Sequence, residues 1–201
     1  EYYAELLEAK GITYLGSFHN GFRQLTNSKH PVTKPEDLKD LKIRVPGSAV
    51  YMGVFNALGA SPTAMSWSEV FTAIQQKTID GQENGCSVTK SAKMDEIQQY
   101  MTIWNYSYEN DLFVANSRVW ESLDENTRQL LQECATESCE WGRDHLEAEE
   151  DQLIQGFMDS GMQVDILTED QLQAFKDAVA GVTADLKAEY GEDACAAFGI
   201  N

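Results

Sequence analysis

Apolar and polar positions change their spacing several times along the chain, and each change marks an element. Glu1-Tyr2-Tyr3-Ala4-Glu5-Leu6-Leu7-Glu8 sets apolar against acidic side chains at helical spacing and predicts an amphipathic helix. Gly11 to Phe18 predicts a strand bounded by glycines. Thr33-Lys34-Pro35-Glu36 is a capping-box pattern with proline in the first turn, opening a short helix through Leu41. Lys42-Ile43-Arg44-Val45 then alternates, with Ile43 and Val45 on one face, Lys42 and Arg44 on the other, and Pro46-Gly47 closing the strand. A helix over Ala49 to Leu58 stops at Gly59. Ser66-Trp67-Ser68-Glu69 forms a second capping-box pattern, leading into a helix over Val70 to Thr78 with Val70, Ala73, Ile74 and Lys77 on one face. Asp80-Gly81 turns the chain, a polar helix covers Ser91 to Gln99, and strands follow over Tyr100 to Tyr106 and Asp111 to Ala115.

The last third has a different pattern. From Ser122-Leu123-Asp124-Glu125 a helix runs unbroken to about Ser160, on the order of 55 Å at 1.5 Å per residue. That is too long for one small lobe, so it lies across two lobes or joins two chains. A coiled coil needs sustained apolar heptads, and Gly142, Arg143, Asp144, Glu147, Glu149, Glu150 and Asp151 interrupt them, which favours a strap between lobes. Gly161 stops the helix, Gln163 to Leu167 is a short strand, and Thr168 to Gln171 caps a final helix ending near Gly191. Strand and helix alternate, so the class is α/β.

Charge narrows the range of partners. Fifteen basic and 33 acidic residues among 201 leave a net charge of −18, which repels phosphate backbones and anionic membranes and argues against nucleic acid as a partner. No run of 18 apolar residues occurs to span a bilayer. The chain opens inside an element with no cap before it, and the expectation is that a longer N-terminal part precedes Glu1.

Few residues carry recognisable chemistry. There is no phosphate-binding glycine loop, no nucleophile elbow and no H-E-x-x-H. Cys134 and Cys139 are about 140° apart around a helix, unsuited to a mutual disulfide or a shared metal; Cys86 and Cys195 can pair, but the leading reading is four small buried or half-buried thiols. His145 and Glu149 share a helix face without a third metal ligand and read as a solvated face. What remains is Arg23, just past the first strand, Arg44, near the carboxyl end of its strand, and Asn84 in Asp80-Gly81-Gln82-Glu83-Asn84. Ligands of open α/β sheets bind outside the carboxyl ends of strands, and a guanidinium there offers a planar fork to a carboxylate. The competing reading pairs each arginine with one of the many acidic side chains, makes Asn84 a turn residue and buries Trp67 in the core.

Several stretches, in order, are Leu41-Lys42-Ile43-Arg44-Val45-Pro46, Leu58-Gly59-Ala60-Ser61-Pro62, Met65-Ser66-Trp67-Ser68-Glu69-Val70-Phe71 and Asp80-Gly81-Gln82-Glu83-Asn84. Together they resemble the DctP-type solute-binding proteins of TRAP transporters, and the resemblance extends over all 201 residues, corresponding to the later two-thirds of a typical member. It implies an α/β fold of two lobes with hinge strands and a long lobe-spanning helix, with 1–20 and 109–148 in lobe I and 21–108 and 149–201 in lobe II. It implies a periplasmic or lipid-anchored extracytoplasmic monomer that delivers a small organic acid to membrane permease subunits, with no cofactor, no metal and no catalytic residue. Arg44 resembles the arginine that grips the ligand carboxylate, Arg23 a second cationic contact, and Asn84 an asparagine bonding the same carboxylate. Trp67 stands where the family places an aromatic side chain against the ligand, and Asp111 at a polar pocket position. Gly85 replaces the proline that usually follows Asn84, loosening that turn. An acidic Asp111 beside an anion is costly unless it faces hydroxyls, which tilts the expectation toward a sugar acid. The rivals are a carboxylate-gripping lyase or isomerase, for which neither Glu83 nor Asp111 has an evident acid partner, and a ligand-binding sensor domain.

Overall fold

In the computed structural model, which describes residues 2–197, the chain divides into two units, Glu1–Gly21 with Tyr108–Asp151, and Phe22–Ser107 with Gln152–Asn201. Glu1, the first residue of the expected opening helix, lies outside the described residues.

The first unit contains helix α1 (Tyr2–Glu8), strand β1 (Ile12–Phe22, whose last residue enters the second unit), strand β7 (Tyr108–Asn116) and the short helix α5 (Ser117–Ser122). It also holds most of α6 (Glu125–Asp159), whose 35 residues include the end that crosses into the second unit. β1 pairs with β7 in a two-stranded sheet. Leu15 of β1 and Ala135 and Cys139 of α6 are each buried, and Gln132 Nε2 donates to the Leu15 carbonyl at 2.6 Å, fixing β1 on the helix. Asp124 starts α6, its carboxylate accepting the Thr127 N–H at 3.0 Å and the Thr127 hydroxyl at 2.7 Å. The long helix thus forms where its cap and composition place it.

The second unit is built on a six-stranded sheet in the order β4-β3-β5-β2-β6-β8, comprising β2 (Gln24–Asn27), β3 (Lys42–Val45), β4 (Ser61–Ala64), β5 (Gly81–Asn84), β6 (Tyr100–Ile103) and β8 (Gln163–Ile166). β3 runs parallel to β4 and β5, β2 runs antiparallel to β5 and β6, and β8 is parallel to β6. Helix α2 (Ala49–Ala57) supplies Phe55 to a core with Leu25, Ile43, Val45 and Trp104, and α7 (Glu169–Ala178) adds Phe175. Helix α3 (Trp67–Gln75) covers Val70, Ala73, Ile74, Ile79 and Met94, while Met101, Ile103, Phe157 and Met162 form a third cluster with Cys86.

Several expectations need correction. The expected turn at Asp80-Gly81 is displaced: Asp80 already bonds the Lys42 carbonyl and the Ser28 N–H through its backbone, and Gly81–Asn84 is a strand buried along its whole length, so Asn84 is not a turn residue. Gly81 must be glycine: a Cβ there would stand 2.2 Å from the Thr26 carbonyl oxygen. Arg44 is not on an open polar face, since only Lys42 of β3 is exposed. Ser66 makes no side-chain cap for α3; its hydroxyl meets Ser68, and Lys77 lies beyond the helix in a left-handed conformation at φ 59°. The polar helix expected over 91–99 is instead α4 (Cys86–Ser91) followed by a 3-10 turn at Met94–Glu96. The final helix is broken at Val179, where α7 ends and α8 (Ala180–Ala197) begins; within α8 the helical backbone stops at the expected place, Gly191 (φ 83°, ψ 170°), and a short second helical piece follows it. Cys86 does not form a disulfide with Cys195; it packs beside Met101 and Phe157, and Cys134 is exposed.

Candidate functional site

β3 and β5 are parallel neighbours with Arg44 opposite Gln82, so Arg44 and Asn84 emerge toward the same, carboxyl end of the sheet. Arg44 is 6% exposed. Its Nε and Nη2 donate to the Met65 carbonyl at 3.0 and 2.8 Å, and its guanidinium carbon sits 5.3 Å from the Trp67 ring centroid. Among the described residues Nη1 has no hydrogen-bond partner and no carboxylate bonds Arg44. Burial lowers its pKa, the charge of Glu83 raises it, and Arg23 lowers it again.

Arg23 is held differently. It precedes β2, is 2% exposed, and grips Glu83 from the neighbouring strand: Nε meets Oε2, Nη2 meets Oε1 at 2.9 Å, and Nη2 also reaches the Glu83 carbonyl at 2.9 Å. The antiparallel register that puts Leu25 opposite Glu83 sets this contact, and the Tyr51 ring lies 5.2 Å from the guanidinium carbon. The Tyr106 hydroxyl donates to the same Glu83 carboxylate. Burial pushes the Glu83 pKa up, opposed by the hydrogen bond and charge of Arg23, by Tyr106 and by Arg44. Tyr106 is held well above its ordinary value by burial and by Glu83, so it stays a hydroxyl donor. Arg23 and Tyr106 both donate to the Glu83 carboxylate, an arrangement that suits its ionised form.

Asn84 is 8% exposed and its Oδ1 accepts the Gly85 N–H at 2.9 Å, which leaves the Nδ2 hydrogens as what it offers. Four of the five expected site residues, Arg23, Arg44, Trp67 and Asn84, therefore lie in the second unit. Asp111 lies half-buried on β7 in the first. The competing pairing holds for Arg23, whose fork is occupied by Glu83, and not for Arg44. Trp67 lies against Arg44. Sequence reasoning did not assign Glu83, Tyr106 or the Met65 carbonyl. Each acts through a contact between distant segments, and no local pattern carries that information. Among the described residues no three His, Cys, Asp or Glu side chains converge as metal ligands.

The arrangement is a buried guanidinium with an unspent Nη1 donor, and a side-chain amide near the same end of the neighbouring strand, in a setting where water competes weakly. It can hold a small oxyanion.

Residues 1–189 match the family model described as bacterial extracellular solute-binding protein, family 7, or DctP. The chain is 34% identical over 90% of its length to the 2,3-diketo-L-gulonate-binding periplasmic protein YiaO of Escherichia coli, covering 54% of that protein. It is 32% identical over 95% of its length to the C4-dicarboxylate-binding periplasmic protein DctP of Rhodobacter capsulatus, covering 57% of it. The chain thus spans about half the length of the curated relatives it matches. Among solved structures, a TRAP periplasmic solute-binding protein from Ralstonia eutropha with bound (S)-2-acetolactate superposes with a TM-score of 0.92 at 35% identity, over 94% of this chain and 62% of that one. A second, from Shewanella oneidensis with bound succinate, gives 0.90 at 33% identity over 96% and 63%. A third, from a Polaromonas species with D-erythronate, gives 0.90 at 32% identity over 96% and 63%.

Proposed function

This chain belongs to family 7 of the bacterial extracellular solute-binding proteins, the DctP family, and from that premise we propose that its protein captures a small organic acid outside the cytoplasmic membrane and delivers it to a TRAP permease. Arg44 is the carboxylate anchor and Asn84 donates beside it; Trp67 backs the guanidinium. Segments 1–20 and 109–148 belong to one lobe and 21–108 and 149–201 to the other, and Asp111 faces hydroxyls of the ligand. The bound acids of the structural relatives, acetolactate, succinate and erythronate, all carry a carboxylate, in keeping with such an anchor.

One observation carries this reading: Arg44 is buried, and its guanidinium is held by a neutral carbonyl, not by an acid. A buried cation kept without a protein counter-charge bonded to it is poised for an external anion. Binding rather than turnover is favoured because Glu83, the carboxylate that bonds Arg23, is also tied to Tyr106 and is not poised as a general base.

The test is a thermal-shift screen of the full-length gene product against aldonates, uronates, keto acids, dicarboxylates and sulfonates. An acid at about a hundred times its Kd adds roughly 2.7 kcal/mol to the folded state. Arg44→Ala should cost about 2–5 kcal/mol of binding, at least a ~30-fold loss, with an unchanged far-UV spectrum. Full affinity in that variant refutes the assignment.

A further inference from the structure

A cavity of about 430 Å³ lies apart from the carboxylate anchor, and none of Arg44, Asn84, Trp67 and Glu83 lines it. It sits within the second unit, between α2, the chain leaving β6, and α7 with the start of α8. Its volume falls in the ~300–1,000 Å³ range of small-molecule sites. The wall is aromatic and aliphatic, with Phe22, Trp104, Tyr106 and Phe175 beside Val54 and Leu172. Trp104 and Phe175 meet edge to face at 5.1 Å, so the wall presents both ring edges and ring faces.

The polar groups of this wall call for an acceptor. Trp104 is 3% exposed, and among the described residues its Nε1 has no hydrogen-bond partner. An unmet buried donor is a standing cost to the fold, which an acceptor inside the cavity removes. Asn105, at the mouth, spends its Oδ1 on Gln24 Nε2, and so offers its Nδ2 hydrogens. The exposed charged residues of the lining, Glu169 and Lys176, have opposite signs and cancel. A carboxylate buried against these rings without a bonded cation is costly, which favours an uncharged acceptor. The net charge of −18, which repels anions, does not act on such a molecule.

We propose that this cavity is a binding site for a small uncharged aromatic carbonyl compound, a ketone, ester or amide whose oxygen accepts the Trp104 indole N–H. The site is independent of the anion-binding reading, and a failed screen of acids leaves it standing.

The experiment is a ¹H–¹⁵N titration of the full-length protein with acetophenone and methyl benzoate, and with ethylbenzene as the control that lacks the oxygen. The Trp104 indole resonance is assigned through its Overhauser contacts to the Phe175 ring. Both carbonyl compounds should move it downfield and saturably, and ethylbenzene should not. Trp104→Phe keeps a ring and removes the donor, so acetophenone should bind about threefold to tenfold more weakly while ethylbenzene binds as before. Leu172→Trp fills the cavity and should abolish binding of all three. A Trp104 resonance that neither carbonyl compound moves overturns the proposal, as does acetophenone binding that persists unweakened in Leu172→Trp. The wild-type titration decides even if a variant does not fold.

Discussion

Removing Arg23 is the sharpest probe of the buried ion pair it makes with Glu83. In Arg23→Met the volume is roughly kept, but the Glu83 carboxylate stays fully buried with only the Tyr106 hydroxyl to bond it. Breaking a buried pair by deleting one partner costs about 3–5 kcal/mol, whereas replacing both partners with apolar groups is close to neutral. At roughly 2–4 °C per kcal/mol for a chain of this size, the melting temperature should fall by about 6–20 °C. The penalty should also depend on pH. Burial already holds the Glu83 pKa above the ordinary value. A carboxyl raised in the folded state contributes stability that is present below its unfolded pKa, near 4.3, and is lost as pH rises through the folded pKa. Without Arg23 the folded pKa climbs further, so the cost of Arg23→Met should be largest near pH 8 and shrink toward pH 5 by up to about 1.4 kcal/mol per pH unit. The assay is urea unfolding followed by tryptophan fluorescence, with buried Trp104 reporting on the second unit, for wild type, Arg23→Met, Glu83→Leu and the double variant. The double variant should recover most of the single loss. A cost below about 1 kcal/mol for Arg23→Met, the range of exposed pairs, or strictly additive losses in the double variant, refutes a buried and coupled pair.

Other outcomes follow from single contacts. Gly81→Ala sets a methyl 2.2 Å from the Thr26 carbonyl oxygen, so β2 and β5 must part. The expected loss is about 3 kcal/mol or more, read as a drop in the urea midpoint; wild-type stability would contradict the register. The Thr127 hydrogen bonds hold the Asp124 carboxyl below its usual value. A depressed carboxyl contributes stability that is present above the unfolded pKa, near 3.9, and is lost as pH falls through the folded pKa. Asp124→Ala should therefore be less stable than wild type at pH 7 and converge with it below about pH 3 in the same unfolding assay.

What could be read along the sequence was whatever local pattern decides. The long helix announces itself through Asp124 and a residue run without proline, and Ile43 and Val45 place β3 by alternation. β5 was hidden because Gly-Gln-Glu-Asn has none of the apolar or β-branched residues that signal a strand. Its side chains are buried by polar partners far along the chain, Gln82 by Thr26 and Glu83 by Arg23. The break at Val179 carries no proline; it falls beside Gly181 in a stretch of β-branched residues, and α8 beyond it packs against α2. For the site the residue types were legible and their partition was not. Arg23 and Arg44 look equivalent as isolated arginines, and only the register of β2 on β5 gives one of them to Glu83.

The strand order of the second unit also governs the sequence of events in folding. β2, in the interior of the sheet, pairs residue 26 with residue 82 on one side and with residue 101 on the other, and β6 finds β8 only at residue 163. No neighbouring pair with β2 closes a short loop, so the loop entropy falls due before contacts reward it, which slows folding. As the chain emerges from the ribosome, Arg23 has no Glu83 to pair with until residue 83 is made, and the edge of β6 stays open until residues 163–166 follow. That exposed edge is where an incompletely synthesised chain would pair with the wrong partner, so this protein's vulnerability to aggregation belongs to its nascent state.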